Sequence, residues 1–98
     1  MLKSKEVADL KYISHSEPII KYTIGKDYLK DSTVDMLVKA LEAHELIKIH
    51  ALKSIEATAK EIAEQLKNNL NCEIVQVIGR VITIFKVSQK KKGISKRI

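Results

Sequence analysis

The run EIVQVIGRVITIFKV, from Glu73 to Val87, sets two β-rich stretches on either side of the single pair Gly79-Arg80. Glycine at the first central position suits a two-residue type II′ turn, whose twist matches that of the strands it joins. The end of the chain is therefore expected to be an antiparallel hairpin, and the upstream segments must supply the rest of its sheet.

Those segments alternate between two periods. From Ser4 to Ile13, Val7, Leu10 and Ile13 recur every three residues among charges, as on a short amphipathic helix. Pro18 stops it, because the residue before a proline is pushed out of helical dihedrals. Ile19 to Ile24 is β-branched and aromatic and reads as a strand that Gly25 ends. Ser32 with Asp35 three residues later gives a capping box. The helix it opens carries Val34, Leu37, Val38 and Leu41 on one face and runs to about His44. Leu46 to Leu52 alternates apolar and polar residues like a strand with one solvated face. Ser54 is the expected N-cap of a longer helix with Ile55, Ala59, Ile62, Ala63, Leu66 and Leu70 as its stripe. Asn68, Asn69 and Asn71 mark its end. The order α-β-α-β-α-β-β implies an α/β fold. It is a compact sandwich of a four-stranded mixed sheet and three helices, with right-handed crossovers where strands run parallel.

Composition narrows the function. Ninety-eight residues suffice for one domain, and aromatics make up only 4%, so the core must be aliphatic. A large aromatic cofactor cage and a cleft between two lobes are both excluded on these grounds. Cys72 is the sole cysteine, and His15, His44 and His50 show no ligand spacing, so neither a disulfide framework nor a metal site is expected. The N-terminus has no apolar signal core, and no run approaches the ~20 apolar residues of a membrane span. A cytoplasmic protein without cofactor, membrane partner or small-molecule substrate is expected.

Net charge is +6, and the excess lies wholly at one end. Residues 1–85 balance 12 basic against 12 acidic side chains; Lys86, Lys90, Lys91, Lys92, Lys96 and Arg97 follow with no acid. A basic tail on a neutral body reads as an electrostatic arm for a polyanion or as a solubilising extension. Residues 1–87 are expected to form the domain, and residues 88–98, with nothing to bury, a disordered basic tail.

Catalytic constellations are weak. Ser14-His15-Ser16-Glu17 holds the residue types of a triad, but neighbours in one stretch point apart rather than converge. His44 and Glu45 fall at a helix end, and His50 lies within a strand. Cys72 has no basic cluster beside it and reads as a buried small hydrophobe. The loop after the first strand is a better candidate for anion binding. Gly25, Lys26 and Lys30 precede a helix start, where backbone N–H groups and the helix dipole favour anions. Asp27 and Asp31 reduce that charge, and the spacing is not that of a nucleotide P-loop.

The run from Pro18 to Lys48, with ALEAHELIKI at its end, and then VQVIGRVITIF resembles the CRM domain, the chloroplast RNA splicing and ribosome maturation module. Its stand-alone bacterial form is the YhbY family. The resemblance extends to about Val87 and implies a fold similar to the C-terminal domain of translation initiation factor three. It implies a non-enzymatic RNA-binding protein that associates with ribosomal RNA of large-subunit precursors in ribosome assembly. It also implies a G-x-x-G loop that lets the RNA backbone come close. Here the loop is Gly25-Lys26-Asp27-Tyr28, so the second glycine is replaced. An exposed Tyr28 would stack on a base; otherwise it covers the following helix. Lys48 of H-E-L-I-K and Arg80 of the hairpin are exposed by pattern and are candidate phosphate contacts, as are Lys90, Lys91, Lys92, Lys96 and Arg97. The altered loop also leaves a different class open, a protein-interaction module with an auxiliary basic tail.

Overall fold

The computed structural model describes residues 2–88 and 93–98. The hairpin forms as β3 (Glu73–Ile78) and β4 (Val81–Phe85) around Gly79-Arg80. Gly79 has φ +57° and Arg80 does not share the positive φ, which is the type II′ pattern. Strand β2 (Leu46–Ala51) pairs antiparallel with β4, and β1 (Lys21–Ile24) pairs parallel with β2. The sheet order is β1-β2-β4-β3. Helix α2 (Asp31–His44) connects the parallel pair, and α3 (Ala59–Leu70) carries the chain from β2 to the hairpin. Helix α1 (Ser4–Ser16) precedes β1. The α/β fold with a four-stranded mixed sheet and three helices is thus the one the sequence implies.

Two apolar layers sandwich the sheet. Ile47 and Ile49 of β2 and Ile82 and Ile84 of β4 meet Leu37 and Leu41 of α2 and Ile62, Leu66 and Leu70 of α3. On the opposite face Leu46, Val75 and Phe85 meet Leu10 and Ile13 of α1. This second layer covers only one end of the sheet, so Lys48 and His50 on the same face of β2 remain half-buried.

Helix starts differ from the sequence reading, each for a local reason. Helix α3 begins at Ala59 rather than after Ser54, because Thr58 and Glu61 make the reciprocal capping box. Glu61 N–H donates to Thr58 Oγ1 at 3.1 Å, and Thr58 N–H to Glu61 Oε1 at 2.9 Å. Ile55 is buried all the same, from the preceding loop. Helix α2 begins one residue before Ser32, with Lys30 at the N-cap and no side-chain cap. Asp35 instead pairs with Lys39 on the exposed surface, at 3.2 Å. The asparagine signal for the end of α3 is met by Asn71, at φ 53° and ψ 49°.

The expectation of a disordered tail from Ser88 needs correction. Ser88 is buried, and Gly93–Arg97 forms a short 3-10 helix. Ile94 and Ile98 pack on the cluster of Leu10, Leu46 and Phe85. The tail does have something to bury: two isoleucines spaced four apart, which its lysines mask in a compositional reading. Lys90, Lys91 and Lys92 lie outside the described residues.

Candidate nucleic-acid interface

The loop after β1 is built from two successive turns. Tyr28 N–H donates to Gly25 O at 3.1 Å, and Lys30 N–H to Asp27 O at 3.0 Å. Gly25 is not in the left-handed region, and a Cβ added there would meet only Leu52 Cδ1, at 3.7 Å. The backbone does not demand glycine at this position; what glycine leaves is a surface without a side chain. Lys26 and Lys30 are exposed on either side of the second turn, as are Asp27 and Asp31. Lys26 also lines an open concavity of about 350 Å³ with Ser54, Ile55 and Glu56, so the β1–α2 and β2–α3 loops form one rim.

Tyr28 does not stack on a ligand from the surface, contrary to the first of its two expected roles. It is only 7% exposed and belongs to the core under α2 and α3. Its hydroxyl donates to Gln65 Oε1 of α3. Burial, with the Glu61 carboxylate nearby, raises its pKa above the ordinary phenol value. The ring anchors the loop from below and removes the backbone freedom that a second glycine would confer.

Arg80 is likewise a structural anchor rather than an exposed phosphate contact. Its Nε–H donates to Ala51 O at 3.2 Å, Nη1 to Ala57 O at 3.2 Å, and Nη2 to Leu52 O and Ile55 O at 2.8 and 3.0 Å. A guanidinium has five N–H donors in a fixed fork, so four carbonyls nearly exhaust it. The β2–α3 loop is wound around this one cation, which fixes the rim that Lys26 shares. Hairpin position gave no sign that the side chain would reach back to loop carbonyls.

Arg97 is also engaged, making two bonds to the carboxylate of Glu17 at 2.9 and 2.5 Å. That guanidinium holds the Glu17 pKa below the usual carboxylate value. Lys96 is exposed beside it. Lys48 sits on the partly covered sheet face, directly across from Lys21 in the parallel register. The structure therefore gathers Gly25, Lys26 and Lys30 in one loop and sets Lys48 on the sheet. Tyr28 and Arg80 become internal ties, and Arg97 is held in an exposed ion pair.

Glu45 is the residue whose role the sequence reading missed. It is 1% exposed, and its carboxylate accepts from Ser88 N at 2.7 Å and Ser95 N at 2.9 Å. Its own backbone has φ 64° and ψ −42°, a region that L-residues rarely occupy. The one available signal was an acid beside Leu46 and Ile47 at the mouth of a buried strand, where a carboxylate must find donors.

The triad-like stretch is dispersed in space. Ser14 Oγ donates to Lys11 O, Ser16 Oγ to Tyr12 O, and Glu17 faces Arg97, while His15 Nε2 hydrogen-bonds Gln76 Oε1 at 2.9 Å. Cys72 is buried, and desolvation pushes its thiol up to about 11, which removes it as a nucleophile at neutral pH. Among the described residues no cluster of His, Cys, Asp or Glu is placed to hold a metal ion, and no helix is long and apolar enough to cross a membrane.

Comparisons with known proteins identify the family. The chain is 35% identical over 80 residues to the Bacillus subtilis protein YqeI, named as a probable RNA-binding protein, covering 82% of this chain and 81% of that one. It is similar in fold to the solution structure of the Staphylococcus aureus protein SAV1595, a candidate RNA-binding protein. There the TM-score is 0.73 with 34% identity, over 94% of this chain and 95% of the other. The model of the CRS1 / YhbY (CRM) domain matches residues 2–86. With that match over nearly its whole length, the chain belongs to the CRS1/YhbY (CRM) domain family.

Proposed function

We propose that this chain is a non-enzymatic, cytoplasmic RNA-binding protein that engages ribosomal RNA in large-subunit precursors and assists their assembly. The observation that carries the reading is the loop at Gly25. It pairs a surface without a side chain with two exposed lysines at a helix start, on a rim held rigid by Tyr28 and Arg80. Phosphate contacts of this kind supply affinity through counterion release and do not require base readout. Membership of the CRM family and the names of its relatives favour RNA as the polyanion.

The test is sedimentation of cell lysate on a density gradient, with the full chain compared against a Lys26→Gln/Lys30→Gln variant. Co-migration of the native chain with large-subunit precursors, lost in the variant, is the expected result. A native chain that stays at the top of the gradient overturns the assembly role.

A further inference from the structure

The face of the sheet that α1 covers is covered at one end only. Its rows follow from the register. The first row, Leu46 and Phe85, lies under α1 and the 3-10 helix. The second row runs Lys21, Lys48, Thr83 and Gln76 across β1, β2, β4 and β3. The third runs Thr23, His50, Val81 and Ile78. Lys21, Thr23 and Ile78 are exposed, Lys48, His50, Gln76 and Val81 are half-buried, and Thr83 is buried, so the face is open mainly at its β1–β2 end.

The second and third rows contain no acid. Lys21 and Lys48 are nearest cross-strand neighbours, and among the described residues neither has an ion-pair partner. Like charges directly opposite one another oppose sheet pairing, so the fold gains nothing from this arrangement. His50 lies on the next row beside Thr23, and His15 reaches the same face through Gln76. Along β1, side chains on one face recur every second residue, so Lys21 and Thr23 lead directly to Gly25. Ile78, at the far edge, is the one strongly exposed apolar side chain on these rows, so the patch lacks the apolar centre of a protein-docking surface.

We infer that this open sheet face is a second RNA-contact surface, in which Lys21 and Lys48 bind the sugar–phosphate backbone of a strand that continues onto the Gly25 loop. The inference rests on the RNA-binding reading above. Charge complementarity selects the occupant: two uncompensated lysines, side by side on a face whose rows carry no acid, suit a polyanion. The β1–β2 end of these rows offers a track continuous with the loop rather than an isolated charge.

The test is filter binding of in vitro transcribed large-subunit ribosomal RNA across a series of KCl concentrations. Four variants are compared with the native chain: Lys21→Gln/Lys48→Gln, Lys21→Arg/Lys48→Arg, the loop pair Lys26→Gln/Lys30→Gln, and a control, Lys60→Gln/Lys67→Gln, on the outer face of α3. The sheet glutamine pair is expected to bind at least about fivefold more weakly. Its slope of log K against log[salt] should be shallower by about 1.4–1.8, the share of two phosphates. Its melting temperature should equal or exceed the native one, since a like-charge pair has gone. The arginine pair should retain binding. A sheet pair that binds like the α3 control, while the loop pair loses affinity, overturns this inference and leaves the loop reading intact. A native chain that fails to bind, or loop and sheet pairs that both match the control, overturns both.

Discussion

The carboxylate of Glu45 accepts the backbone N–H of Ser95, 50 residues further along the chain, while its other oxygen accepts that of Ser88. One buried acid at the end of α2 thus holds both ends of the segment between those serines. Charge-assisted bonds of this kind contribute about 1.5–3 kcal/mol each, although contributions are not additive. Glu45→Ala is therefore expected to destabilise the chain by about 2–4 kcal/mol. It should also free the tail, and trypsin should remove residues after Lys96 and Arg97 faster than from the native chain. Unchanged digestion would show that Ile94 and Ile98 hold the tail without the carboxylate.

Arg80 acts on the loop rim through geometry, and Lys cannot replace it. A lysine offers a single ammonium where the guanidinium spans four carbonyls from Ala51 to Ala57. Arg80→Lys should leave the charge and the sheet intact but speed amide hydrogen exchange across residues 52–57. RNA affinity should fall while the salt slope stays the same, because no phosphate contact is removed. In Arg80→Gln, which removes the charge as well, a slope shallower than that of Arg80→Lys by about 0.7–0.9 instead identifies Arg80 as a direct phosphate ligand.

Tyr28 separates anchoring from recognition. Tyr28→Phe removes only the hydroxyl bonded to Gln65 and should cost about 1 kcal/mol with RNA affinity unchanged. Tyr28→Gly restores the family's second loop glycine but empties the core beneath the loop. A loss of about 3–5 kcal/mol follows from deleting a buried aromatic ring. Reduced affinity in the folded Tyr28→Phe variant would contradict a buried, purely anchoring ring.

The Glu17–Arg97 pair gives the tail an acid dependence whose sign is fixed. The bonds from Arg97 lower the Glu17 pKa from 4.5. A carboxylate depressed in the folded state contributes fully above its unfolded pKa and loses that contribution as pH falls through the folded value. Docking of the tail should weaken only below about pH 4.5, visible as shifts of the Ile94 and Ile98 methyl resonances. Glu17→Gln should abolish that acid transition. Both residues are exposed, so the effect is local rather than global.

Legibility in the sequence followed physical range. Element order, the hairpin turn and the aliphatic core were readable because periodicity and turn chemistry act over a few residues, as at Gly79 and along Ile62, Leu66 and Leu70. Tyr28, Arg80 and Glu45 were not, because their partners lie 23 or more residues away: Gln65 for Tyr28, Ala51 to Ala57 for Arg80, Ser88 and Ser95 for Glu45. A polar side chain near a turn looks exposed until the chain returns with donors or acceptors for it. The same holds for the tail, whose lysines dominate its composition while two isoleucines determine where it packs.

Gly25 allows function to be tested with the fold held constant. Its backbone does not lie in the left-handed region, and an added Cβ would sit in ordinary contact with Leu52 Cδ1 at 3.7 Å. Gly25→Ala should therefore leave stability within about 0.5 kcal/mol, or raise it slightly by restricting the unfolded chain. If an RNA backbone approaches the loop closely, the same methyl group stands in its path. Affinity for large-subunit ribosomal RNA should then drop by about tenfold, the equivalent of ~1.4 kcal/mol. Loss of affinity at constant melting temperature locates the contact at Gly25 itself. Equal affinity would shift recognition away from close approach at the loop and onto the lysines of the rim and the sheet.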